Sequence, residues 1–88
     1  MGLLFEWDEE KARGNLRRHG VSFSAAASVF GDPLSVTIAD PQHSADEARF
    51  VTLGESTTRR LVVVVHTERG NRIRIIGARG YAAREGQL

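Results

Sequence analysis

Cysteine is absent from the 88 residues, so no disulfide, thiolate metal site or thiol nucleophile is available. Only two prolines and six aromatic residues occur. The longest apolar run, Leu61 to Val65, falls far short of the roughly 20 residues that cross a bilayer. No basic segment followed by a long apolar stretch opens the chain, so a cytoplasmic protein without membrane association is expected. No phosphate-cradling glycine-rich loop, dinucleotide fingerprint or nucleophile elbow is present, which removes nucleotide-cofactor and serine-hydrolase chemistry. The length suits a single domain, 1–88, whose active site would be a shallow surface.

What is present is arginine. Eleven of the twelve basic residues are arginine, and they are unevenly placed. Residues 1–58 carry five basic and nine acidic side chains, whereas 59–88 carry seven basic and two acidic ones. A near-neutral protein with one basic half has the charge distribution of a nucleic-acid binder. The planar, bidentate guanidinium suits phosphate contact and base stacking.

Capping chemistry predicts a first helix. Asp8 is a suitable N-cap, Glu9 and Glu10 favour the first turn, Arg17, Arg18 and His19 favour the last, and Gly20 fits a left-handed terminator. Ala12, Leu16 and His19 fall on one stripe, with Lys11 and Asn15 on a neighbouring face. Phe5-Glu6-Trp7 before it reads as a short extended segment. Ser24 is expected to open a second, alanine-rich helix that ends near Phe30, where Gly31-Asp32-Pro33 turns the chain.

From Leu34 the period changes to two, giving strand candidates at about 34–39, 48–53, 60–67 and 72–78. Short polar connections between them predict a four-stranded antiparallel meander covered on one face by the two helices, an α+β fold. The tail from Gly80 is expected to remain a short tail or a third helix.

Arg72 and Arg74 alternate with Ile73 and Ile75, which places both guanidiniums on one face of the last strand. In a short hairpin His66 could approach them across the strands, depending on register. Cations beside a group that titrates near neutrality would suit phosphodiester cleavage, because RNA supplies its own 2′-hydroxyl nucleophile and no metal is needed. A charged edge strand that discourages sheet association is the competing explanation. Asp46 and Glu47 with Arg49 offer either a base beside an anchor or an ordinary ion pair. His19, His43 and His66 lack metal-ligand spacing, so neither a metal site nor a cofactor is expected.

Phe5-Glu6-Trp7-Asp8, Lys11, Asn15, His19-Gly20-Val21-Ser22-Phe23 and Val29-Phe30-Gly31-Asp32-Pro33 together resemble the N-terminal half of BrnT-type toxins. The resemblance continues through Glu47-Ala48-Arg49-Phe50, Leu61 to Arg69 and Arg72 to Ile76. It implies a RelE-like fold and a metal-independent ribonuclease that arrests translation. It also implies a cognate BrnA-like antitoxin, through which alone the pair would contact operator DNA. By matching position it nominates His66, Glu47, Arg72, Arg74 and Arg79 for catalysis, and Lys11, Arg49 and Arg69 for RNA binding. Gly77-Ala78-Arg79 replaces the usual Ser-Ala-Arg, and the longer basic helix that usually follows is matched only as far as Arg84 and Glu85. That departure makes a non-catalytic or weakened module for antitoxin or nucleic acid the alternative.

Overall fold

The computed structural model describes residues 3–81. The chain runs β1 (Leu4–Glu6), α1 (Glu9–His19), α2 (Phe23–Ser28), a 3-10 turn (Val29–Gly31), β2 (Val36–Ala39), a second 3-10 turn (Pro41–His43), β3 (Arg49–Glu55), β4 (Leu61–Arg69) and β5 (Arg72–Gly80). The expected tail or third helix lies largely outside the described residues.

Asp8 caps α1 by accepting from the Lys11 amide, and Gly20, at φ 69°, ends it by donating to the Leu16 carbonyl. The second helix starts earlier than its sequence suggests. Ser22 rather than Ser24 is the cap, accepting from the Ala25 amide at 3.0 Å, which lets Phe23 enter the core in the first turn.

The sheet has five strands in the order β1-β5-β4-β3-β2. Strands β2 to β5 form the antiparallel meander, but β1 joins it in parallel, pairing Leu4, Phe5 and Glu6 with Arg72, Ile73 and Arg74. The expected four-stranded antiparallel sheet is thereby corrected to five strands of mixed direction. Three residues are too few to show a period of two, and their partners stand almost the whole chain away. Gly70, at φ 61°, opens the two-residue β4–β5 turn, as a type II′ hairpin requires.

Both helices cover one face of the sheet. Val21, Phe23, Ala26 and Val29 pack there on Val62, Val64, Ile75 and Ala78, with Phe5, Trp7 and Phe30 at the margin. Gly54 carries no side chain because a Cβ would stand 2.8 Å from both Val29 Cγ1 and Ser35 Cβ. Asp32 fastens this corner: its carboxylate accepts from the Glu55 amide at 2.8 Å and the Leu34 amide at 2.9 Å. Those two bonds, the one from Glu55 first, hold its pKa below the ordinary carboxylate value.

The α1 stripe also departs from expectation. Leu16 is half exposed, and the buried positions are Gly14 and Asn15. Strand β1 stops opposite Arg74, which leaves β5 without a neighbour on that side at Ala78. Asn15 takes the place of a strand there: its Nδ2 donates to Ala78 O at 2.8 Å and Val21 O at 3.0 Å, and its Oδ1 accepts from Ala78 N at 3.1 Å. A helix side chain thus satisfies backbone groups that apolar packing would orphan.

Candidate RNA-binding face

The second face of the sheet is covered by no described element. Its side chains alternate with those of the core, and the pairing register ranks them in rungs. Glu6, Arg74, Thr67 and Arg49 occupy neighbouring positions across β1, β5, β4 and β3, and Leu4, Arg72 and Arg69 form the next rung. Neighbouring strands lie about 4.8 Å apart. Four arginines from three strands therefore crowd one end of this face.

Their partners differ. Arg74 donates to Glu6 at 3.1 Å, and Arg69 grips Glu47 through Nε at 2.9 Å and Nη2 at 3.4 Å. Arg49, Arg72 and Arg79 form no ion pair among the described residues. Of the two arrangements open to Asp46, Glu47 and Arg49, the ion pair between Glu47 and Arg49 does not form: the loop before β3 delivers Glu47 to Arg69. Thr67, at the centre of its rung, is 1 % exposed, and its hydroxyl has no hydrogen-bond partner among the described residues.

Arg79 reaches this face because of a bulge. Val65 pairs with Gly77 and His66 with Ile75, so Ile76 is an extra residue in β5. Simple alternation would send Arg79 to the isoleucine side. The bulge reverses the parity beyond it, turning Ala78 into the core and Arg79 onto the face of Arg72 and Arg74. The edge-strand explanation for Arg72 and Arg74 also loses force, because β1 and β4 flank β5 at both positions.

His66 is not brought to the arginines. Its partner across the ladder is Ile75, and its side chain lies on the helix side, 2 % exposed, with Phe30 edge-on at 4.9 Å and Phe50 stacked at 5.8 Å. Its Nε2 hydrogen-bonds Thr52 Oγ1 at 2.8 Å, and Thr52 Oγ1 in turn meets Thr37 Oγ1 at 2.7 Å. Burial pushes its pKa below the ordinary imidazole value, against a smaller opposing pull from Glu68. The register that sequence left open thus separates His66 from Arg72 and Arg74. Lys11 sits exposed in the first turn of α1, in the helix layer and not among the arginine rungs.

Sequence reasoning missed Glu6 and Thr67. Glu6 carries no signal apart from its pairing with β5, and Thr67 is recognised only once Arg49 and Arg74 are known to flank it.

An α+β protein with helices on one face of its sheet and arginines gathered at one end of the other offers a basic surface of the kind that nucleic-acid-binding proteins carry. The fold resembles the 1.1 Å crystal structure of the Brucella abortus ribonuclease toxin BrnT, with a TM-score of 0.65 and 22 % identity over 91 % of this chain and 97 % of that one. No curated protein matches the chain. The profile of the ribonuclease toxin family BrnT, of type II toxin–antitoxin systems, matches residues 7–85, and the chain belongs to that family.

Proposed function

We propose that this chain is a metal-independent endoribonuclease toxin that arrests translation in the cytoplasm until a BrnA-like antitoxin neutralises it. The observation that carries the reading is the pair of arginine rungs, in which Arg49, Arg72 and the braced Arg74 surround Thr67. The guanidiniums hold the scissile phosphate and offset the charge that develops as the 2′-hydroxyl attacks it. Glu6 and Glu47 keep Arg74 and Arg69 extended over the face. Glu47 is the stronger candidate to take the 2′-hydroxyl proton, because His66 lies on the opposite side of the sheet. An acidic antitoxin segment lying over the arginines would exclude phosphate, and DNA binding by the complex would belong to the antitoxin.

Arg72→Ala combined with Arg74→Ala tests the reading. Loss of one donor that stabilises transition-state charge costs about 10²–10³ in rate, so the double variant should cleave RNA at least 100-fold more slowly and should no longer arrest growth. Wild-type cleavage by a folded double variant would sink the proposed site.

A second reading has two observations in its favour: His66 is remote from the arginines, and Glu47 is engaged by Arg69. In that reading the face binds RNA or antitoxin without cutting. Salt-sensitive RNA binding with the RNA recovered intact would select it.

A further inference from the structure

We infer that the cleft at the far end of β5, lined by Arg18, His19, Arg60, Arg79, Gly80 and Tyr81, is a second RNA subsite that grips nucleotides flanking the scissile phosphate. The inference rests on RNA being the ligand of the arginine face. Three elements converge on the cleft: the last turn of α1, the start of β4 and the end of β5. Among the described residues that line it, none is acidic. Like charges gathered without a counter-charge repel one another, and such a cleft attracts an anion.

Part of this charge has a local explanation. Arg18 and His19 complement the helix dipole, and Arg60 donates to the Gly20 carbonyl at 3.2 Å. Arg79 and Tyr81 have neither excuse. The Tyr81 amide donates to Leu61 O at 2.9 Å, which fixes its backbone, while the residue stays 48 % exposed. Gly80 between them lets a guanidinium lie against bare backbone, since a Cβ there would stand 2.7 Å from Arg60 Nη2. A backbone-anchored, exposed tyrosine in a cleft that three arginines also line brings together base stacking and phosphate contact, the two components of single-strand binding.

Continuity with the arginine face favours RNA over an acidic peptide. Arg79 shares that face with Arg74, and their ladder partners Val63 and Thr67 are four residues apart, a distance of roughly 13 Å. A strand held on the arginine rungs and running along β5 passes Arg79 and reaches the Tyr81 ring within a few nucleotides.

The test compares two non-cleavable 2′-O-methyl oligonucleotides, one spanning only the arginine rungs and one several nucleotides longer at both ends, by fluorescence anisotropy. Tyr81→Leu and Arg18→Glu should each erase about tenfold of the longer oligonucleotide's affinity advantage, while Tyr81→Phe retains it. Equal loss for both lengths, or none for either, would overturn the subsite. Should the variants bind long RNA normally but lose an acidic peptide, the cleft belongs to a protein partner and the inference fails. If wild-type protein never cleaves RNA yet shows the length-dependent binding, the cleavage proposal fails and the subsite stands.

Discussion

Replacing Asn15 by aspartate changes no shape and reverses one set of hydrogen bonds. The oxygen that takes the place of Nδ2 would face the Ala78 and Val21 carbonyls, which now receive hydrogen bonds at 2.8 and 3.0 Å. Each acceptor left without a donor costs about 1–3 kcal/mol, so the ionised carboxylate at this position should cost about 4 kcal/mol or more. Whole-domain stability at this length is only about 4–13 kcal/mol. Protonation restores one donor and roughly half of the loss.

The folded-state pKa of the new carboxyl should therefore rise above its unfolded value of about 3.9. A raised pKa means that the stability tied to the proton is present at low pH and is lost as pH rises through the folded value. Urea unfolding followed through Trp7, which packs edge-on against Phe23 at 5.9 Å, should show Asn15→Asp about 4 kcal/mol below wild type at pH 7.5 and about 1.5 kcal/mol closer to it at pH 4. Subtracting the wild type at each pH cancels the titration of His66 and Asp32. Asn15→Leu, with nothing to titrate, should be deficient by a similar amount at both pH values. An Asn15→Asp protein as stable as wild type at pH 7.5, or with a deficit independent of pH, would refute the bridging role.

The two buried threonines should respond in opposite senses. Thr52→Val breaks bonds to Thr37 and His66 and should cost about 2 kcal/mol in chemical denaturation, whereas Thr67→Val removes an unpartnered hydroxyl and should be neutral or stabilising by up to about 1 kcal/mol. A drop in RNA affinity for a fully stable Thr67→Val would place that hydroxyl on the substrate. Because the folded-state pKa of His66 is depressed, its contribution to stability is present above about pH 6.5 and is lost as pH falls through the folded value. His66→Gln should flatten that acid limb of a thermal-unfolding profile while leaving the pH profile of cleavage in place, and loss of the cleavage profile would return His66 to the catalytic set.

The legible parts of this fold are those whose causes are local. Helix α1 is announced by Asp8 and Gly20, whose capping bonds lie within four residues, and β3 to β5 are announced by an alternation set by one buried face. The illegible parts depend on residues distant in sequence. Leu4 to Glu6 become a strand only because β5 offers an edge, and Asn15 becomes the most buried polar residue of α1 only because that edge is vacated at Ala78. The site divides in the same way. The common face of Arg72 and Arg74 follows from their spacing, whereas the partners of Glu47 and Glu6 and the side taken by His66 follow from register.

The irregularities around Ile76 belong together. A regular β5 carrying Arg72 and Arg74 outward would turn residue 78 outward as well and drive the Arg79 guanidinium under the helices, a costly burial for an unpaired charge. The extra residue at Ile76 exchanges these fates: Ala78 enters the core at 4 % exposure and Arg79 emerges. Such an exchange leaves Ala78 with backbone groups that β1, ending at Glu6, does not reach. The Asn15 carboxamide closes that gap with both of its polar ends. The third arginine of β5 therefore depends on a buried side chain in α1, and perturbation of Asn15 should reach the arginine face through the position of Arg79.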